Sequence, residues 1–451
     1  MTEVTFQPRP DVAPPAAWRF PGASRRVLDN GLTVVRYDLL GRPLTSVQLV
    51  LDLPSNGDPD GLDGATAIMA RTLDEGTSAH DGAAFAAALA RCGAAYGCWT
   101  SHSGVRLELS VAVARLATAL PLLSEAVRTP TFPQDELDRL VKQELDGLVS
   151  RRATPTSRAR MELLARCFDP TSRMSRPVAG TEQSLARLDR KAIARHYADH
   201  VCPGVATLVL AGDFTGVDAD AAVDTAFGPW PAGEPERSAA VDPVGTRPGV
   251  TVVDRPGSVQ SVLDFGCAGV DRRHPRWAEL SVGAYALGGS INSRLSALLR
   301  EEKGYTYGIR AQFVPERRGG LFIVSSAVDA DVTGPAVADV LRVVDGQLAS
   351  GITAKERDDA VDFMLGVSPV RFQTADAVAR QAAEQFLDEL PPDYLDRRNA
   401  ALREVTAESA STAFADAVTR DDLGLVVVGD AERIVGPLAE AGVSDVTVVP
   451  A

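Results

Sequence analysis

The sequence has no apolar run long enough to cross a membrane and no pair of cysteines in C-x-x-C spacing. Residues 1–21 are polar and proline-rich, without the charged-then-apolar pattern of a signal peptide, so a cytoplasmic location is expected. The cysteines are odd in number and scattered: Cys92, Cys98, Cys167, Cys202 and Cys267. A disulfide framework is therefore not expected, and a reducing compartment fits the composition.

Basic charge is also scarce. Lys and Arg total 46 against 60 Asp and Glu, a formal net charge of -14. Nucleic-acid binding requires a basic stripe, so that class is excluded. The sequence also has no P-loop, no dinucleotide fingerprint and no Gly-x-Ser-x-Gly elbow. With 451 residues, 45% of them hydrophobic and 24% charged, a globular protein of two or three domains is predicted.

The chain contains an internal duplication. The segment SVQLVLD at 46–52 recurs as SVQSVLD at 258–264, an offset of 258 − 46 = 212. TLVLAGD at 207–213 recurs as LVVVGD at 425–430, an offset of 429 − 212 = 217 between the matched glycines. Two matches at nearly one spacing predict two homologous domains.

The order of predicted elements repeats as well. In each half, β-branched strands precede an alanine-rich helix, more strands and long amphipathic helices. The predicted first-half elements are strands 32–37, 45–53 and 105–111 and helices 65–73 and 134–149; the second-half elements are strands 250–253, 258–265 and 320–328 and helices 277–287 and 354–365. The fold class is therefore α+β, with two homologous domains, each a mixed, largely antiparallel sheet packed with helices.

Composition divides the chain into four parts. Residues 1–24 form an N-terminal extension, and residues 25–226 form the first domain. Residues 227–248, rich in Pro, Gly and charge, are the predicted linker. Residues 249–451 form the second domain.

A glycine-rich turn interrupts the helices of the second domain. Gly288 and Gly289 are expected to permit unusual backbone angles, and Ser290 or Asn292 to cap the next helix. That helix is expected to end at Gly304, before a strand over residues 305–313.

Arg300 and Tyr307 are seven residues apart on the two sides of this helix end. Both can face one solvent space, where the guanidinium would bind peptide carbonyls or carboxylates and the phenol would donate to a carbonyl or its oxyanion. Composition alone leaves another interpretation open, with Arg300 in a surface ion pair and Tyr307 in the core.

The block from Gly288-Gly289 through Ser293-Arg294-Leu295 to Arg300, Gly304 and Tyr307 resembles a signature of the pitrilysin, insulinase and mitochondrial-processing-peptidase family of zinc peptidases. The similarity extends over roughly residues 25–430 and implies the α/β-roll fold of these metallopeptidases. It also implies that Arg300 and Tyr307 hold substrate against the zinc of a facing domain, with Gly288, Gly289 and Ser290 contributing to substrate binding.

The zinc half of the family site is missing. The family's His-x-x-Glu-His motif corresponds here to residues 67–71, with Ala67 and Arg71 at the ligand positions and Ala70 at the base position. Alanine cannot bind a metal, and Arg71 would bring a fixed positive charge. Glu144 is the nearest candidate for the distal ligand; alone it could not hold zinc, and a solvated helix residue is the expected role. No metal is expected on this chain.

A second histidine pair needs separate consideration. His196 and His200 are four apart, with Asp199 before the second. Such spacing can bind a metal from one helix face. Asp is a short arm for reaching a metal-bound water, and the segment also follows the ordinary family pattern before a strand, so metal catalysis here is not expected.

The resemblance as a whole implies a non-zinc subunit of a heterodimeric zinc metallopeptidase. A homologous partner would carry His-x-x-Glu-His and the zinc cofactor, and this chain would be inactive alone. The substrates would be peptides or small unfolded proteins, with leader peptides as one candidate; neither nucleic acid nor membrane is an expected partner. The alternative is a catalytically inert structural or peptide-binding subunit.

Overall fold

The computed structural model describes residues 18–235 and 239–451. Most of the predicted N-terminal extension, residues 1–17, and residues 236–238 of the predicted linker lie outside the described residues. Within the described ranges, none of the helices combines the length and apolarity that a membrane crossing requires.

The first sheet belongs to the first half of the chain. In spatial order β1-β2-β6-β3-β5-β4, its strands are parallel only between β2 and β6. The strands are β1 Ser24–Val27, β2 Thr33–Asp38, β3 Leu44–Leu51, β4 Ala95–Thr100, β5 Val105–Ala112 and β6 Ala206–Gly212. Strand β5 alternates buried and partly exposed residues, as expected for a strand with one face on a core.

The second sheet repeats this arrangement. Its order is β12-β7-β11-β8-β10-β9, with β7 parallel to β11 and to β12 and the other pairs antiparallel. The strands are β7 Val250–Asp254, β8 Gln260–Gly269, β9 Ile309–Pro315, β10 Gly320–Asp329, β11 Gly424–Gly429 and β12 Val446–Pro450. The prediction of two duplicated, mixed and largely antiparallel sheets is therefore confirmed.

Helices cover the sheets. Those of the first half are α1 Ala65–Thr72, α2 Gly82–Cys92, α3 Leu116–Arg128, α4 Gln134–Ala153, α5 Pro155–Cys167, α6 Glu182–Leu185, α7 Arg190–His200 and α8 Ala219–Phe227. Those of the second half are α9 Trp277–Gly288, α10 Arg294–Ser296, α11 Thr333–Ser350, α12 Ala354–Gly366, α13 Ser368–Arg371, α14 Ala375–Leu387, α15 Tyr394–Glu404, α16 Ala407–Ala417 and α17 Ala431–Glu440. The boundaries between domains stay a prediction, although the last strand of the first sheet ends at Gly212 and the second sheet begins at Val250.

One helix of each half packs against the sheet of the other half. Helix α5 packs Leu163 and its neighbours against β8, β10 and β11 of the second sheet. Helix α14 packs Val378 and its neighbours against β2 and β6 of the first sheet. Because apolar burial on both sides depends on this exchange, the two halves are held together by core packing as well as by polar contacts.

A polar cluster joins the halves at one end of this interface. The guanidinium of Arg317, with its side chain 8% exposed, pairs with Asp52 of the first half and, at 2.6 Å, with Glu389 of the second. Ser103 lies within 3.4 Å of both Glu316 and Asp388. Burial raises the pKa of Glu316 to about 7, so this carboxyl is held partly in its neutral form near neutral pH.

Candidate functional site

Helix α1 carries the positions that correspond to the zinc motif. Gly64, at its N-cap with φ 95°, lets the chain turn into the helix beside Ala179, where a Cβ would collide with the backbone. Ala67 is 4% exposed and Ala70 is fully buried in the core under the first sheet. Two of the three motif positions thus hold apolar side chains without any atom that could bind a metal or a proton.

The third position, Arg71, forms an ion pair with Glu144 across to helix α4. Its Nη1 lies 2.6 Å from Glu144 Oε2, and its Nη2 donates to Gln143 Oε1 at 3.0 Å. Arg151, about two turns further along α4, binds the other Glu144 oxygen. The carboxylate therefore lies between two guanidinium groups, in charge-assisted contacts.

The expectation that Glu144 is a solvated helix residue is wrong. Glu144 is only 8% exposed. It turns inward because α4 packs against α1, and Arg71 supplies the charge that a buried carboxylate requires. The residues present do not fit a zinc ion: one carboxylate faces a permanent cation where a metal would stand. Among residues 18–235 and 239–451, no group of three or more His, Cys, Asp or Glu side chains is arranged to hold a metal.

Asp74 is a partly buried carboxyl next to this pair that the sequence analysis missed. It follows α1, and burial raises its pKa to about 6, against opposing contributions from its own backbone amide and from Arg139 and Arg71. The sequence did not predict this position, because no pattern around an Asp that follows an alanine-rich helix indicates that its side chain points inward.

The histidine pair on α7 packs between helices. His196 and His200 are 3% and 9% exposed, and their ring centroids are 4.5 Å apart. His196 Nε2 contacts Thr66 Oγ1 of α1 at 2.9 Å, and His200 Nδ1 donates to the His196 carbonyl at 3.0 Å. Burial, and then the neighbouring His200, lower the pKa of His196, as expected for a neutral core imidazole. These contacts connect α7 to α1.

Gly288 and Gly289 have a steric role. Neither has a positive φ, so the expected unusual backbone angles are absent. A Cβ on Gly288 would stand 2.5 Å from the Ala311 amide nitrogen, and one on Gly289 would stand 2.6 Å from Tyr285 Cα. Gly288 therefore allows the C-terminal end of α9 to lie directly against strand β9, and Gly289 allows the chain to pass close to Tyr285 in the last turn of α9.

The expected caps at Ser290 and Asn292 are not formed. Ser293 is the N-cap of α10, and its hydroxyl donates to the Ser290 carbonyl at 2.6 Å. After α10 the chain widens into a π-helix, Ala297–Glu302, which places Arg300 on the groove described below. Gly304 ends it with φ 64°, as predicted. Short π-helical segments are often found at functional sites.

Tyr307 lies in a loop and not on the predicted strand, because β9 begins only at Ile309. Thr306 holds this loop in a turn: its hydroxyl accepts from the Gly308 amide at 3.0 Å. Ser326 of strand β10 donates to the same hydroxyl at 3.0 Å. Because these hydrogen bonds pair the polar groups of the loop locally, the loop does not join the ladder between β9 and β10, and the Tyr307 ring points outward.

Arg300 and Tyr307 meet above an open groove. The Tyr307 ring is 93% exposed, which rules out the core interpretation, and Arg300 Cζ lies 5.4 Å from its centroid. Within the described ranges, the ion pair of Arg300 is a weak one, 3.3 Å to the exposed Glu301. The groove, about 1370 Å³, is also lined by Gly288, Gly289 and Ser290. Both side chains are thus free to engage a ligand, while their roles stay a prediction.

Comparisons with known proteins give the family. Residues 40–181 match the family model described as insulinase (peptidase family M16), and residues 187–364 match the model described as peptidase M16 inactive domain. The two matches include α1, Glu144, Arg300 and Tyr307. The chain belongs to the M16 family of peptidases and their homologues.

Some relatives of this chain are named as proteases and others as inactive or non-peptidase homologues. A protein of Helicobacter pylori named non-peptidase homolog YmxG is 22% identical over 73% of this chain and 76% of its own length. An uncharacterized zinc protease of Streptomyces coelicolor is 25% identical over 92% of this chain and 90% of its own. The crystal structure of a peptidase M16 inactive domain from Pseudomonas fluorescens superimposes with a TM-score of 0.82 at 25% identity, covering 91% of this chain and 98% of that one.

Proposed function

We propose that this chain is the non-zinc subunit of a heterodimeric M16 metallopeptidase. In this proposal a homologous partner carries His-x-x-Glu-His and the zinc, and this chain supplies Arg300 and Tyr307. The observation that carries the proposal is the contrast between the two halves. The metal positions are closed by an internal Arg71–Glu144 ion pair, whereas Arg300 and Tyr307 stand open on a large groove.

The exposure of Tyr307 supports this assignment. Tyr307 is 93% exposed and so gains almost nothing from the core. Its hydroxyl forms no hydrogen bond in the described part of the chain. Such a side chain is suited to a partner or ligand that covers it. The wide π-helical turn and the Thr306–Ser326 bond hold the two groups on one side of the groove.

The chemistry assigned to the pair follows from its donors. In the complex, the partner's zinc would activate water for attack on a peptide carbonyl. The Arg300 guanidinium would hold the peptide backbone, and the Tyr307 hydroxyl would donate to the oxyanion of the tetrahedral intermediate. The proposed substrates are peptides or small unfolded proteins, leader peptides among them, because the groove is open and not a closed pocket.

The test is a reconstituted complex of this chain with an HxxEH-bearing homologue from the same host. We expect Tyr307→Phe to lower kcat by roughly 10²-fold, as for the loss of one oxyanion donor, with assembly unchanged. Tyr305→Phe is the matched control, since Tyr305 packs against the core of the second sheet. Equal losses in both variants, or loss of assembly with Tyr307→Phe, would show that the loop is only structural.

A second candidate is an inert structural or peptide-binding subunit. The name of the Helicobacter pylori relative, non-peptidase homolog, favours it. In that case Arg300→Gln combined with Tyr307→Phe would leave the activity of any complex unchanged. A complex without peptidase activity would also favour the inert subunit.

A further inference from the structure

A second cavity, beside the groove, is lined by four arginines. It has a volume of about 410 Å³ and lies between α9, strand β9 and the helices α12 to α15. Arg272, Arg310, Arg371 and Arg398 reach its wall, and no Asp or Glu among the described residues does. In a chain with a formal net charge of -14, a cavity whose charged side chains are all positive is a local departure from the average surface.

Three of these guanidinium groups have no anionic partner in the part of the chain that the structure describes. Arg272 is paired, at 3.2 Å to Asp388 and 3.6 Å to Glu384, both behind the cavity wall. The side chains of Arg310, Arg371 and Arg398 form no hydrogen bond or ion pair within residues 18–235 and 239–451. Each retains its full set of donors for a ligand.

The arginines are also close enough to repel one another. Burial lowers the pKa of Arg398, and the charges of Arg371 and Arg272 lower it further, while Tyr394 opposes them. The Tyr394 hydroxyl lies in the same wall, is buried and has no hydrogen-bond partner among the described residues. Buried polar atoms are normally satisfied, so this hydroxyl and the unpaired arginines together offer donors to a bound group.

The position of the cavity favours a carboxylate that belongs to a peptide. Arg310, Gly288, Gly289, Tyr285 and Phe363 line both this cavity and the groove of Arg300 and Tyr307. The two spaces therefore adjoin each other, and we expect a peptide in the groove to reach the cavity with a side chain or its terminus. A guanidinium fork matches the two oxygens of a carboxylate, and aromatic walls such as Trp277 suit the carbons that carry it.

We propose that this arginine pocket, formed by Arg310, Arg371, Arg398 and Tyr394, is a binding site for a carboxylate of an acidic peptide. Its assignment as part of the substrate site depends on the function proposed above, whereas binding of the carboxylate does not. The pocket would select peptides with an acidic residue, or a free C-terminus, at a fixed distance from the part of the peptide backbone that Arg300 binds.

The experiment uses the full chain alone, without a zinc partner, so a failed peptidase reconstitution cannot affect it. Fluorescently labelled, C-terminally amidated eight-residue peptides with one central Glu or, in its place, Gln are titrated by anisotropy. A peptide with Gln and a free C-terminus forms the third arm, and inorganic phosphate is tested as competitor. We expect either carboxylate peptide to bind at least about tenfold more tightly than the amidated Gln peptide.

Variants identify the pocket. Arg398→Gln and Arg371→Gln should each remove most of the preference for the carboxylate. Arg397→Gln is the matched control: it lies next in the same helix, its side chain is 69% exposed, and it pairs with Asp393 at 2.7 Å outside the cavity. Arg398→Gln also removes a repelled charge, so the variant is expected to fold. Its melting temperature, and the independent variant at Arg371, show whether a lost preference results from misfolding.

Three results would overturn the proposal. One is equal affinity for all the peptides, and another is an unchanged preference in both Arg398→Gln and Arg371→Gln. The third is a higher affinity for inorganic phosphate than for either carboxylate peptide, with displacement of the bound peptides by phosphate; the site would then serve a free anion and not a peptide.

Discussion

The ion pair between Arg71 and Glu144 gives the most detailed prediction of this structure. Glu144→Gln removes the carboxylate charge but keeps the size of the side chain, and Arg71→Met removes the guanidinium but keeps most of its apolar length. The two single variants and the double variant form a cycle that isolates the energy of the pair.

The magnitude follows from burial. Breaking a fully buried pair costs ~3–5 kcal/mol and an exposed one ~0.2–1 kcal/mol. Glu144 has a side chain 11% exposed, but those of Arg71 and Arg151 are 33% and 39% exposed, so solvent screens the pair in part. We expect Glu144→Gln to cost about 2 kcal/mol, of which about 1 kcal/mol is coupling to Arg71, because Arg151 holds the other oxygen.

The assay is native-state hydrogen exchange of the α4 amides, which reports local opening without requiring that the whole chain unfolds in one step. Lys142 and Asp146 on the same helix are the control pair, 2.7 Å apart but with side chains 77% and 67% exposed; their coupling should not exceed ~0.5 kcal/mol. High salt should weaken the control pair more than Arg71–Glu144. A coupling no larger than that of the control would refute the view that Arg71 holds Glu144 in a closed site.

Two further predictions concern the interface and the groove. Burial raises the pKa of Glu316 to about 7 from 4.5, so the folded chain binds more protons than the unfolded chain between these values, and its stability should fall as pH rises from about 4.5 to about 7. Glu316→Gln should therefore flatten the plot of melting temperature against pH. An unchanged plot would contradict the assignment. Gly288→Ala should lower the melting temperature, because the new Cβ would lie 2.5 Å from the Ala311 amide nitrogen. Gly346→Ala in α11, with open space around it, should instead stabilise the chain by about 0.5 kcal/mol. Shifts of the same sign in both variants would show that strand β9 moves to accommodate the new Cβ.

Local patterns predicted the elements and the duplication but not how the halves combine. Alternating β-branched residues and helical periodicity placed β5, β10, α1 and α12 close to their observed bounds. The exchange of α5 and α14 between the sheets could not be inferred from periodicity. An apolar helix face indicates that it is buried and does not say against which sheet.

The candidate site was predictable where it follows a contiguous motif and not where it depends on distant residues. Arg300 and Tyr307 are near in sequence, so their shared space could be expected. The partners of Arg71 lie more than 70 residues away (144 − 71 = 73), and so the burial of Glu144 was missed. The arginine pocket draws on residues from 310 to 398, and no local signal marks them as neighbours.

The central claim is that this chain works beside a zinc-bearing homologue, and native mass spectrometry with zinc quantification tests it most directly. The tagged chain would be purified from its own host. The account predicts a heterodimer with a second chain of similar size and one zinc per complex. A zinc-free monomer or homodimer would contradict it and favour the inert subunit, and zinc bound to the lone chain would contradict the assignment of His196 and His200 to the core.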